Sequence, residues 1–127
     1  MYMLCYICLE KRGDYFLQKI NWSLLSDNKI IIDKNILCEY EKNILIKYIE
    51  DDHTSNIIDL KNRIYIRENN EFLFKIDFNK KIFYYELKEN NICLENIIEC
   101  ELNQNDKNIL LKYKIDEEEK KIIIQVL

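Results

Sequence analysis

Proline and alanine are absent from this sequence, and glycine (Gly13), valine (Val126), histidine (His53) and tryptophan (Trp22) occur once each. Without proline, and with a single glycine, turns cannot be marked in the usual way. Asn and Asp must supply the left-handed backbone positions, being the non-glycine residues that tolerate positive φ best. One glycine also rules out a Gly-rich phosphate loop, and with it nucleotide hydrolysis through a P-loop. Long apolar runs are missing too: the longest, Tyr2 to Leu9, is far short of the roughly 20 residues a membrane helix needs. No basic segment precedes it and no small-residue cleavage site follows, so a cytoplasmic protein without a membrane span is expected. Positive charge is not in excess. A formal charge of −4 gives no overall drive toward phosphate and disfavours nucleic acid, although aromatic residues on an open sheet could still stack bases.

Metal and catalytic chemistry are equally thin. Five cysteines, Cys5, Cys8, Cys38, Cys93 and Cys100, make an odd number in a chain without an export signal, so reduced thiols are expected. The one CxxC, Cys5 to Cys8, falls in a strand-like stretch, where residues three apart point to opposite faces and cannot share a metal or a disulfide without a bend. No second CxxC or HxxxH completes a zinc set, and no metal or cofactor is expected. The loop Asp51-Asp52-His53-Thr54-Ser55-Asn56 gathers Asp, His and Ser, but sequence neighbours do not make a triad, which needs groups converging in space. Carboxylate pairs such as Glu39/Glu41 and Glu50/Asp52 would share a face on strands, yet with 23 Asp and Glu such pairs arise by chance. The chain is read as not an enzyme.

What is present is an apolar and aromatic chain: 48% hydrophobic, 33% charged and 12% aromatic, with nine tyrosines. That is the composition of a folded protein, and 127 residues suffice for a single domain, 1–127. Ile, Asn, Lys and Glu dominate, as in the product of an AT-rich genome, so Ile enrichment says less about strands than it usually does. Alternation says more. In NEFLFKIDFNKKIFYYELKENN, Phe72, Phe74, Ile76 and Phe78 occupy every second position, and Phe83, Tyr85 and Leu87 do so after the break Asn79-Lys80-Lys81. This predicts an antiparallel hairpin with its aromatic face inward and a turn at Asn79-Lys80.

The same reading predicts strands at about 2–10, 14–22, 29–33, 36–41, 44–50, 56–60, 63–68, 71–78, 81–88, 97–102, 108–115 and 120–127. Breaks rich in Asn, Asp and charge separate them, among them Lys34-Asn35, Lys42-Asn43, Glu89-Asn90-Asn91 and the acidic run Asp116 to Glu119. Helix is the rival at Asn43 to Asp51, where Ile44, Leu45, Tyr48 and Ile49 also fit a helical stripe, and Asn96 to Leu102 is similarly ambiguous. The pattern suggests an all-β antiparallel meander closed into a barrel or a sandwich. A purely structural core has less use for Tyr than for Phe or Leu, because each buried hydroxyl needs a partner. Tyr48, Tyr85 and Tyr113 share phase with apolar neighbours on separate strands. Converging with Arg67 they would form a polar spot in an apolar cavity, and these four are the candidate ligand-binding residues.

The segments ILIKYIEDD with Tyr48-x-Glu50, IYIRENNEFLFKIDF with Arg67, IFYYELKENNICLE and NILLKYKIDEEEKKIIIQVL with Tyr113 resemble, in order and spacing from about Asn35 onward, the YwiB-like proteins. These are small uncharacterised bacterial proteins assigned a calycin-type, lipocalin-like barrel. The family usually has Gly where this chain has Asn69 and Asn91. The resemblance implies a small calycin-like barrel, closed or nearly closed, of about eight strands; it implies no activity, ligand or catalytic residue. The expected function is a non-enzymatic small barrel that binds an apolar or amphipathic small molecule. The alternative is a protein-interaction module, for example a mobile-element-encoded inhibitor, acting on a protein partner through an acidic face or an exposed sheet edge.

Overall fold

The computed structural model describes residues 16–127, all of them in strands, turns or loops. The strand expected at 2–10 and the Cys5/Cys8 pair lie outside the described residues. Eleven strands follow one another: β1 (Phe16–Ser26), β2 (Lys29–Glu41), β3 (Leu45–Ile49), β4 (Ser55–Asp59), β5 (Ile64–Glu68), β6 (Phe72–Asp77), β7 (Ile82–Leu87), β8 (Ile92–Ile97), β9 (Cys100–Gln104), β10 (Asn108–Ile115) and β11 (Glu118–Val126). They form a single antiparallel sheet in the order β8-β7-β6-β5-β4-β3-β2-β1-β11-β10-β9. Among the described residues no helix is long and apolar enough to cross a membrane.

Alternation decides the inward face. Ile20 and Trp22, Ile46 and Tyr48, Asn56 and Ile58, and Ile122 and Ile124 are buried at every second position of their strands, as a sheet with one covered face requires. Each fully buried Ile contributes about 1.5–3 kcal/mol relative to exposure. The period-2 pattern also settles Asn43 to Asp51, where β3 replaces the helical alternative. The aromatic hairpin forms as expected: Phe72 lies opposite Leu87, Phe74 opposite Tyr85 and Ile76 opposite Phe83. Asp77 makes its turn by accepting the backbone N–H groups of Asn79 and Lys80, each at 3.0 Å.

Turn chemistry follows the lack of glycine. Asp27 and Asn28 close β1 and β2 with φ of 49° and 68°, and Asp116 and Glu117 close β10 and β11 with 52° and 67°. Both are two-residue hairpin loops of the kind that demands positive φ twice. Asn43 and Asn91 take the same region, but so do His53, Arg63 and Lys81, which pay the steric cost that glycine would avoid.

Three expectations are corrected. The strand expected at 97–102 is interrupted at Ile98 and Glu99, between β8, which was not expected, and β9. The break at Lys34-Asn35 does not exist: β2 runs through it, because Lys34 and Asn35 lie opposite Trp22 and Asn21 of a long β1. Asn21 donates to Asp33 and Asn35 at 3.0 and 3.1 Å, so these polar residues form a ladder on the outer face. Nor is the sheet a closed eight-stranded barrel; it is a curled half-barrel of eleven strands. Turns only a few residues long let each hairpin add a strand. The edge strands β8 and β9 do not pair along their length but are joined end to end through Ile98 and Glu99. Ile98 N–H donates to the Lys81 carbonyl at 3.0 Å and Lys114 N–H to the Glu99 carbonyl at 3.0 Å, pinning that corner. Side chains cover the β9 edge: Lys81 Nζ reaches the Cys100 carbonyl at 2.7 Å, and Arg63 Nη2 the Leu102 carbonyl at 2.8 Å. Cationic caps of this kind blunt an edge. All six residues of β8, by contrast, are exposed.

Candidate functional site

Successive pairings place Tyr48 opposite Asn56, Asn56 opposite Arg67, Arg67 opposite Phe74, Phe74 opposite Tyr85, and Tyr85 opposite Leu94. These residues form one row across β3 to β8, and because directly opposed side chains share a face, the row projects to the inside of the curl. Tyr113 approaches from β10, its ring 5.7 Å from that of Phe74. Phe74 in turn touches the rings of Phe83 at 5.1 Å and Tyr65 at 5.9 Å, so an aromatic cluster backs the row.

Above the cluster lies a cavity of about 820 Å³, open on one side. Arg67, Tyr85 and Tyr113 line it, with Phe74, Phe83 and Ile115 among its apolar walls. One flank of its mouth is β8, through Leu94, Asn96 and Ile97; the other is the end of β10 and its turn. The opening therefore follows the stretch where the half-barrel is unpaired.

The polar floor is a connected network. Arg67 holds Glu50 with two parallel bonds, Nε to Oε2 at 2.7 Å and Nη2 to Oε1 at 2.9 Å. Asn56 Nδ2 adds a third bond to Glu50 Oε2 at 2.8 Å, and the Tyr65 hydroxyl donates to Asn56 Oδ1 at 2.7 Å. Forked pairing of this kind is the stronger form of carboxylate–guanidinium contact, and it fixes both planes. Hydrogen bonding to Glu50 pushes the pKa of Arg67 further above its already high value. The Arg67 guanidinium also lies 5.5 Å over the Phe72 ring.

Of the four residues chosen from the sequence, three meet at the cavity and one does not. Tyr48 lies behind it, buried, with its ring 5.2 Å from that of Trp22. Its hydroxyl and Trp22 Nε1 are buried without a hydrogen bond. The Tyr65 hydroxyl is close enough to counter the Tyr48 shift slightly, but it spends its proton on Asn56, and desolvation holds the Tyr48 phenol far above its ordinary range. Burial also pushes Tyr113 up to about 12. Tyr85 and Tyr113 make ring contacts, yet neither hydroxyl has a hydrogen-bond partner among the described residues.

Asn56 and Tyr65 were missed from the sequence. The available signal was phase: Asn56 alternates with Ile58, and Tyr65 lies two before Arg67, so both were inward polar positions on strands already recognised. His53 occupies an exposed turn at positive φ, where its N–H donates to the Glu50 carbonyl at 2.9 Å. Cys38 and Cys100 are buried thiols, and Cys93 is an exposed one. Among the described residues no cluster of His, Cys, Asp and Glu is arranged to hold a metal ion.

No protein-family model, no curated protein and no solved structure matches this chain. The resemblance to the YwiB-like proteins rests on the quoted segments alone.

Proposed function

We propose that the protein is a non-enzymatic binder of a small apolar or amphipathic molecule, held in the curl of the sheet with Arg67, Tyr85 and Tyr113 as its polar contacts. One observation carries this reading: the inward face is not filled, but leaves a cavity of about 820 Å³ that combines an aromatic and aliphatic wall with Arg67 and two phenols that bond no other described residue. Ligand sites typically span about 300–1,000 Å³, with apolar walls and a few convergent polar groups. A polypeptide selected for stability alone would gain by filling such a space, since empty volume forfeits dispersion contacts. The test is native mass spectrometry of protein purified gently from its own host. A retained small molecule, lost on denaturation, is the expected result; protein that emerges bare from several gentle preparations, with no compound from a host extract adding to its mass, counts against the reading.

The unpaired β8 edge favours a second reading, a protein-interaction module. Ile92, Leu94 and Ile97 are exposed on a strand with one free edge, the arrangement used when a partner adds a strand to a sheet. Co-purification of a stoichiometric protein in the same spectra would select it.

A further inference from the structure

We propose that the cavity selects an apolar molecule bearing a neutral hydrogen-bond acceptor, such as an ester or amide carbonyl, over a carboxylate of the same length. This rests on the ligand-binding reading above and names the chemistry of the head group.

The unbonded polar groups facing the cavity can all donate a hydrogen bond, the phenols as well as the guanidinium. Tyr113 is 7% exposed and lines the cavity, and its hydroxyl is unbonded. Tyr85 is only partly buried, lines it too, and its hydroxyl bonds no other described residue. Arg67 engages Glu50 through Nε and Nη2, which leaves the Nη1 hydrogens outside that pair, and a guanidinium can only donate. Glu50 receives three hydrogen bonds and Asn56 Oδ1 receives that of Tyr65. A ligand that offers an acceptor can take the hydrogens of Arg67 and the two phenols together.

Charge then separates a neutral acceptor from an anionic one. Arg67 already has its counter-charge in Glu50, so the floor carries no net positive charge for a carboxylate to neutralise. At the mouth, Glu99, Asp116, Glu117 and Glu118 outnumber Lys114 and Lys120 by four to two. An entering anion would be repelled there and would have to give up its hydration without a free cation in return.

The test displaces the neutral dye Nile red from the intact protein with decane, methyl decanoate, decanamide and decanoate. Methyl decanoate and decanamide are expected to act at concentrations about 10-fold below decanoate, and below decane. Tyr85→Phe and Tyr113→Phe should each weaken the ester about 3- to 10-fold while leaving decane unchanged. First rank for decanoate overturns the head-group assignment, as does an ester no better than decane in the wild type. If Nile red binds and the ranking is reversed, only that assignment falls. If neither Nile red nor any of the four binds, the ligand-binding reading falls with it.

Discussion

Tyr48 and Tyr65 are both buried phenols, but removing their hydroxyls should have opposite effects. The Tyr65 hydroxyl bonds Asn56 at 2.7 Å, and Asn56 is itself buried, so Tyr65→Phe orphans an acceptor and should cost about 1–2 kcal/mol. Tyr48→Phe removes a hydroxyl that is buried and unbonded, and should leave the melting temperature unchanged or raise it. Thermal melts of the two variants side by side check this; a Tyr48→Phe protein as damaged as Tyr65→Phe would mean that the Tyr48 hydroxyl is bonded after all. Alkaline pH tests the same groups together. Tyrosines in the unfolded chain release their protons near pH 10, whereas burial holds the proton on Tyr113 to about 12. The folded state therefore binds more protons in that window. Its stability should be complete below about pH 10 and fall as pH rises through about 12, with tyrosinate absorbance appearing as the fold is lost. A melting temperature flat across the window would remove buried tyrosines from the account.

At the scale of the element, the aromatic hairpin offers a graded test. Ile76 is fully buried between Tyr65 and Phe83, its cross-strand neighbours, whereas Phe74 is half-buried and faces the cavity. Ile76→Asp should leave no cooperative melt, because the carboxylate has no route to water. Phe74→Asp breaks three ring contacts but can hydrate its charge through the cavity, and should lower the melting temperature without abolishing the transition. Equal loss of folding in both would mean that the cavity is not wet at Phe74. This hairpin was legible from its sequence because one face is apolar and the other polar, so the period of two is written in the residues. The same logic failed at β8, whose ICLENI is exposed on both faces and gives no contrast to read. It failed at Lys34-Asn35 because outward polar residues in mid-strand resemble a turn when proline and glycine are not there to mark real ones. Arg67, Tyr85 and Tyr113 were found by phase. Glu50, which neutralises Arg67, lies just past the end of β3, where alternation no longer speaks.

For the whole molecule, the placement of β1 between β2 and β11 governs how the sheet is made. From β1 to β8 every pairing joins chain neighbours across a short turn, so those strands can zip up locally. The pairing of Ile20 with Val126 must instead bring together residues more than a hundred positions apart. Closing so long a loop costs entropy before any contact repays it, so β11 docks late. Trp22 lies opposite Ile124 and reports that event by its fluorescence. Ile122 is buried against the same seam, and Ile122→Val should cost about 0.5–1.5 kcal/mol. Nearly all of the loss should appear as faster unfolding with an unchanged refolding rate, as expected for contacts formed after the transition state. A refolding rate that slows in proportion would place β11 in the nucleus instead. On this account the lifetime of the folded state is set at the β1 and β11 seam, far along the chain from the aromatic hairpin, and a protein with an intact hairpin could still open quickly.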